Sequence, residues 1–466
     1  MRLPWLPAGF FFIALFSVAC VGKTPDNPAD PASSSFIIST FITCSLRDCN
    51  PSAPQLDYTN TAYNLILNTD ITPLRPTLKG SRLSTCTATP AMPVGLQLDQ
   101  ITCAISGTPT VGQISTSYTI TATNNYGTAS DIISLAIQLA AVPHYAYVSN
   151  PGGNTVSMYS INATTGDLTS IGTIAAGTGP NGLDVDPFGR YLYVTSYGSA
   201  SVNIYTINSD GTLQANGSVA AGSNPHAIVV DPGGNFVYSA NYGTGNTSQF
   251  KVNADGTLAV NSPAAVAAGS SPWGITADPY AKYVYAVNYG SNDISMYTIN
   301  QSTGALTVNG TITTGAGGSP RGIAVDPGGN FAYATNRSAN NVAMFKINTD
   351  GTLTANTPPT VAAGTQPRGI AIHPGGKYVY VTNQGTSDVS MYIINADGTL
   401  SANSPSAIAS GTAPHGIAID PSGQFAYVAN TASNTVSIYK IDSATGLLSS
   451  VTSAAAGTGS EFVTVW

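Results

Sequence analysis

Short apolar stretches alternate with turn residues along most of this 466-residue chain, which reads as strands joined by tight turns rather than as helices. From Tyr145 the pattern becomes periodic. Seven runs align: Tyr145-Ala146-Tyr147-Val148-Ser149-Asn150, Tyr191-Leu192-Tyr193-Val194-Thr195-Ser196, Phe236-Val237-Tyr238-Ser239-Ala240-Asn241, Tyr283-Val284-Tyr285-Ala286-Val287-Asn288, Phe331-Ala332-Tyr333-Ala334-Thr335-Asn336, Tyr378-Val379-Tyr380-Val381-Thr382-Asn383 and Phe425-Ala426-Tyr427-Val428-Ala429-Asn430. They begin 46, 45, 47, 48, 47 and 47 residues apart. A period in the forties built from short β segments predicts propeller blades.

Each unit reads as four strands. A short apolar strand such as Gly322-Ile323-Ala324-Val325-Asp326 ends in a Pro-Gly-Gly turn, and the Tyr-rich strand follows. A third strand resembles Ile294-Ser295-Met296-Tyr297-Thr298-Ile299. A turn, typically Asp-Gly (Asp210-Gly211, Asp255-Gly256, Asp350-Gly351, Asp397-Gly398), leads into a fourth segment rich in Gly and Ala. Asp-Gly pairs supply the positive φ angles that tight hairpins demand. The short strand is apolar at successive positions, as expected of a sheet covered on both faces.

The repeats open on a Tyr-rich strand with no short strand before it. They finish on a short strand, Glu461-Phe462-Val463-Thr464-Val465-Trp466. That last strand is expected to complete the first blade and close the ring non-covalently, leaving no exposed sheet edge. Residues 141–466 are therefore expected to form a seven-bladed β-propeller.

Residues 36–140 form a different all-β unit. Ser117-Tyr118-Thr119-Ile120-Thr121-Ala122-Thr123 and Ile132-Ile133-Ser134-Leu135-Ala136-Ile137 alternate as strands around a turn at Asn124-Asn125-Tyr126-Gly127, predicting an Ig-like β-sandwich. Four cysteines, Cys44, Cys49, Cys86 and Cys103, all fall here. An even number in an exported chain predicts two disulfides. Of the three pairings, closeness in sequence favours Cys86–Cys103 and Cys44–Cys49. A loop the size of Cys86–Cys103 contributes about 3 kcal/mol in the chain-entropy account. Their spacing has no metal-finger character.

The expectation of export comes from the first twenty residues. An apolar run from Trp5 to Ala19 follows Arg2, long enough for a signal peptide and too short for a comfortable membrane span. It ends in Ser17-Val18-Ala19-Cys20, which resembles a bacterial lipobox, although Ser17 stands where Leu is more usual. The reading is a signal peptide over 1–19, lipidation at Cys20 and a flexible tether over 20–35, with the chain held to an envelope membrane on its periplasmic or surface side. Charged residues make up only 8% of the chain and no Lys/Arg run occurs, which excludes nucleic acid as a partner. No motif calls for a cofactor.

Two resemblances add to this. The stretches Pro93-Val94-Gly95-Leu96-Gln97-Leu98-Asp99, Ile105-Ser106-Gly107-Thr108-Pro109-Thr110 and Thr119-Ile120-Thr121-Ala122-Thr123-Asn124 are similar to the bacterial putative-Ig family, whose domains mostly serve as spacers or adhesive modules on exported proteins. The repeats resemble the YVTN family and, more widely, the 6-phosphogluconolactonase-like seven-bladed propellers.

Function has to be argued from a site, and propellers usually bind at the mouth of the central channel. The residue that begins each innermost strand follows a Pro in six blades: Asn181, His226, Trp273, Arg321, Arg368 and His415. Glu461 takes the aligned place in the seventh. Elsewhere in the propeller the only His and Arg are His144, Arg190, Arg337 and His373, so this ring is enriched in both. Two Arg can clamp a carboxylate or phosphate, two His can exchange protons near neutrality, and Trp273 can stack on a ring. The alternative is that these residues cap strand ends and pair with one another, Glu461 with an arginine. A metal held by His226, His415 and Glu461 is disfavoured because the spacing is non-local. His373 replaces the Asp of the usual turn and reads as a turn residue.

The lactonase resemblance implies a hydrolase with similar motifs. Pro225-His226 matches one of them. Pro320-Arg321-Gly322 and Pro367-Arg368-Gly369 match the arginine of another, with Gly where the family places His. Asn336-Arg337, Asn383-Gln384 and Asn430-Thr431 lack the Glu that the family places after Asn, so Glu461 is the remaining acid that can substitute. The chain is therefore expected to be a lipid-anchored envelope protein whose propeller binds or scaffolds. The expected ligand is small, anionic or sugar-like, or else a surface protein. The alternatives are a lactonase-like hydrolase and a purely structural surface-coat component.

Overall fold

The computed structural model describes residues 52–58, 62–66, 70–110, 113–138, 145–315 and 317–466. The expected signal peptide, the tether, Cys20, the Cys44–Cys49 pair and His144 lie outside them. Every regular element among the described residues is a strand. The chain divides into two compact units, the first ending at Ile137 and the second beginning at Gln138.

In the first unit one sheet runs in the order Ala62–Ile66, Gly127–Gln138, Gln113–Asn124, Thr85–Thr89. The two long strands form a hairpin around Asn125-Tyr126, with Asn124 opposite Gly127. Alternation does the sorting: Tyr118, Ile120 and Ala122 of one strand and Ile133, Leu135 and Ile137 of the other are buried. Cys86 and Cys103 form a disulfide across a Cα separation of 5.6 Å. Asp99 shapes the loop that brings Cys103 there, its Oδ1 accepting the backbone N–H groups of Ile101 and Thr102 at 2.9 and 2.7 Å.

The second unit consists of seven four-stranded antiparallel sheets. Within the third blade, for example, the order is Pro225–Val230, Phe236–Asn241, Asn246–Val252, Leu258–Ala267. The first blade is assembled from both ends of the domain, since Val463–Val465 pairs with Tyr145–Asn150, Val463 opposite Val148. The ladder extends beyond the strand: Ser149 N–H donates to the Phe462 carbonyl at 3.1 Å and Glu461 N–H to the Ser149 carbonyl at 3.0 Å.

Burial is greatest in the second strand of each blade. The Tyr-rich second strands are buried along almost their whole length, whereas the fourth strands, such as Leu258–Ala267, are mostly exposed after their first residue. The central tyrosine of each second strand, from Tyr147 to Tyr427, is fully buried. Each hydroxyl donates to a glycine carbonyl in the next blade's outer turn: Tyr147 to Gly211 at 3.0 Å, Tyr193 to Gly256 at 3.0 Å, and finally Tyr427 back to Gly166 at 3.0 Å. Blades are thus tied around the whole ring, through the phenol that a buried tyrosine must satisfy. The turn glycines serve twice. Gly256 adopts φ +81°, and a Cβ there would lie 2.2 Å from the Tyr191 ring.

Candidate functional site at the channel mouth

The first strand of each blade lies innermost, and its register positions the site. In the third blade Pro225 pairs with Asn241 but Ile228 pairs with Ser239, so an extra residue is accommodated between them. The same shift recurs at Pro180/Leu183, Pro272/Ile275, Pro320/Ile323, Pro367/Ile370 and Pro414/Ile417. A bulge of this kind re-aims a side chain. Thr195 Oγ1 then donates to the His226 carbonyl, Thr335 to Arg368 and Thr382 to His415, each at 2.6 Å, so one blade fixes the next blade's ring residue. The glycine after the ring position is needed for close approach. A Cβ on Gly322 would lie 2.4 Å from the Arg368 carbonyl, and one on Gly369 would lie 2.3 Å from that of His415.

Six of the seven ring residues meet. Glu461 Oε1 lies 3.4 Å from His415 Nδ1 and 4.0 Å from His226 Nε2. Arg368 bonds His415 Nε2, and its Nε donates to Gln384 Oε1 at 2.9 Å. A guanidinium only donates, so His415 Nε2 accepts and its Nδ1–H faces the Glu461 carboxylate. On the other side His226 stacks on Trp273 with ring centroids 3.7 Å apart, and the Arg321 guanidinium lies 3.4 Å above the Trp273 ring and 4.3 Å from that of Tyr289. Phe462 packs edge-on against both imidazoles, at 5.7 and 5.9 Å. Asn181 is buried at the equivalent position of the second blade, its Oδ1 without a protein hydrogen-bond partner.

Burial sets the charges. It drives both imidazoles well below their usual value, helped by Arg321 and Arg368, so both are neutral at pH 7. Burial also lowers Arg321 to about 10 and Arg368 to about 9, leaving both cationic. Glu461 is pushed up to about 7, burial outweighing the pull of the two arginines. The mouth therefore carries an excess of positive charge. Arg321 Nε and Nη1 are buried and bond no protein group. Leaving charged donors unpaired in the interior costs several kcal/mol, which an anionic ligand would recover.

Beneath the cluster an axial cavity of about 300 Å³ is lined by inner-strand residues, with Trp273, Arg321, Arg368 and His415 at one end. Asp184 also faces it, its oxygens accepting from the Val230 and Val185 N–H groups at 2.9 and 3.0 Å. Among the described residues no group of three or more His, Cys, Asp or Glu is placed to hold a metal. His373 sits in its turn, Nδ1 accepting from Gly375 N–H at 2.9 Å and Nε2 bonding the Gly423 carbonyl at 3.0 Å. Arg190 pairs with Asp186 at 2.9 Å in another turn.

Sequence analysis considered the rim positions Arg337, Gln384 and Thr431 only as places lacking a Glu, and it missed Tyr197, Tyr242 and Tyr289. In six blades the residue after the Tyr-rich strand donates its N–H to the residue preceding the inner-strand Pro: Tyr197 to Gly179, Tyr242 to Asn224, Tyr289 to Ser271, Arg337 to Ser319, Gln384 to Gln366 and Thr431 to Ala413. These side chains border the cluster, and the repeat alignment contains the signal that finds them.

The family model "Lactonase, 7-bladed beta-propeller" matches residues 101–218 and 198–465, and "Putative Ig domain" matches residues 47–138. Among solved structures the chain is similar to a protein from Bacteroides fragilis described as a putative 6-phosphogluconolactonase, at 23% identity and TM-score 0.63 over 70% of this chain and 98% of that one. It is similar also to the periplasmic gluconolactonase of Pseudomonas aeruginosa, at 20% identity and TM-score 0.61 over 69% and 98%. A protein from Lactobacillus plantarum aligns at 22% identity and TM-score 0.61 over 70% and 99%. At these identities the likeness establishes the fold alone. No curated protein matches this chain.

Proposed function

This chain belongs to the Lactonase, 7-bladed beta-propeller family, and on that premise we propose that its channel mouth binds a small anionic, sugar-like ligand. The observation that carries this reading is Arg321. Its guanidinium lies 3.4 Å from the centre of the Trp273 ring and 4.3 Å from that of Tyr289, while Nε and Nη1 are buried without a protein partner. A carboxylate on the ligand accepts a charge-assisted hydrogen bond from one of those donors, Arg368 adds charge, and the half-buried Tyr289 ring beside them offers a surface to a sugar ring. The expected setting is the cell envelope, with the chain tethered through a lipidated Cys20; the apolar run ending in Ser17-Val18-Ala19-Cys20 supports it.

A second reading, hydrolysis of a sugar-acid lactone, is favoured by the His415 and Arg368 contacts around Glu461. In that reaction the Glu461 carboxylate takes a proton from water as its oxygen attacks the lactone carbonyl carbon. The arginines stabilise the oxyanion. As the ring C–O bond breaks, the Glu461 proton passes to the leaving alkoxide, giving the open hydroxy acid. A carboxyl near pKa 7 suits both transfers.

One experiment separates these. Titration calorimetry with glucuronate should give binding that falls at least about tenfold in Arg321→Ala, the loss of a charge-assisted contact of roughly 1.5–3 kcal/mol. Unchanged affinity in that variant, or no binding by the wild type, would overturn the binding reading. Opening of gluconolactone, followed by acid release in a pH-stat, should stop in Glu461→Gln if the hydrolase reading holds.

A further inference from the structure

The mouth has two unlike sides. On three consecutive blades the rim position is tyrosine, Tyr197, Tyr242 and Tyr289, whereas the next two blades carry Arg337 and Gln384. The tyrosines are half-buried and held at equal heights by the repeated backbone bond described above. With Trp273 they form a row of rings tilted or edge-on to one another: Tyr197 and Tyr242 are 6.3 Å apart at 42°, Tyr242 and Trp273 5.5 Å at 86°, Trp273 and Tyr289 5.8 Å at 45°. Opposite them Arg337 Nη2 donates to Gln366 Oε1 at 2.8 Å while its Nε is buried and unpartnered.

We infer that this face binds an acidic oligosaccharide, a chain of sugar-acid residues longer than one, with one carboxylate on Arg321 and the following rings laid across Tyr242 and Tyr197. The inference rests on the anion-binding reading of Arg321 and extends it. Arg321 and the Tyr289 ring beside it account for one carboxylate and one ring. Tyr242 and Tyr197 lie beyond them, so they serve a ligand that extends further. Flat aromatic faces with phenol tips match the alternating C–H faces and hydroxyl edges of linked sugars. Arg337, whose buried Nε has no protein partner, supplies a second cation for a further carboxylate. The tyrosines are not needed to close blades, since that is done by the fully buried set from Tyr147 to Tyr427.

The test is calorimetry on the full chain with galacturonate and trigalacturonate at one ionic strength. The trimer is expected to bind at least about tenfold tighter than the monomer. The double variant Tyr197→Ala/Tyr242→Ala is expected to lose that gain while keeping monomer affinity within about threefold, with an unchanged melting temperature as the check on folding. Monomer binding with no gain for the trimer would overturn the inference and leave the anion site standing. A neutral trisaccharide binding as tightly as trigalacturonate would overturn the acidic specificity. Binding of neither acid would remove both readings together.

Discussion

Glu461 offers a measurement of the site that needs no ligand. Its carboxyl rises from an ordinary 4.5 to about 7 in the folded protein, so the native state holds this proton more tightly than the unfolded chain does. A raised acid makes folding less favourable as pH increases: the unfolded chain releases the proton near 4.5 while the native state keeps it until about 7. Across that window the cost amounts to about 3 kcal/mol, at 1.36 kcal/mol per unit. Other groups titrate there too. Asp184, also raised to about 7 by burial, acts in the same direction. His226 and His415, held neutral, act in the opposite one and destabilise as pH falls below their unfolded value. The difference between wild type and Glu461→Gln isolates the one group. Urea unfolding should be followed by tryptophan fluorescence, since Trp273 and Trp466 both lie in the propeller. Relative to wild type, the variant should gain about 3 kcal/mol between pH 4.5 and 7.5. A difference that stays constant over that range would refute the burial argument and the electrostatic account of the cluster.

Further outcomes follow from the chain's two ends. Ending the protein at Ser460 removes Val463–Val465 and leaves the Tyr145 and Ser149 N–H groups of the first blade without their partners, Trp466 and Phe462. That variant should melt at lower temperature or aggregate through the opened edge, and a melting curve superimposable on wild type would refute ring closure. At the other end, metabolic labelling with a fatty-acid probe should mark the wild type and not Cys20→Ser; equal labelling of both would remove the lipid anchor.

What the amino-acid sequence determined by itself is the part of this fold that repeats. The recurrence of Tyr147, Tyr193 and their equivalents at nearly constant spacing specifies one blade seven times over, because a blade's strands pair with their sequence neighbours. The same counting exposed the missing strand and its replacement by Val463–Val465, and it placed His226, Arg321, Arg368, His415 and Glu461 at one level. Hairpin alternation in Gln113–Asn124 and Gly127–Gln138 was legible for the same local reason, and closeness in sequence pointed to Cys86–Cys103.

Only the tertiary structure decided what happens on the axis. Whether Glu461 meets His226, 235 positions earlier in the chain, depends on ring closure and on side-chain length, and neither is written in the period. The repeat rule treats Asn181 as equivalent to His226, yet it is His226 that stacks on Trp273 and Arg321 that lies against Trp273 and Tyr289. The charges were equally hidden. In sequence the two histidines read as proton exchangers near neutrality and Glu461 as a partner for an arginine, whereas burial beside two arginines holds both histidines neutral and burial lifts Glu461, which meets the histidines, to about 7. Local pairing energies act between residues near in sequence and so leave a periodic trace; desolvation and convergence act between residues that only folding brings together.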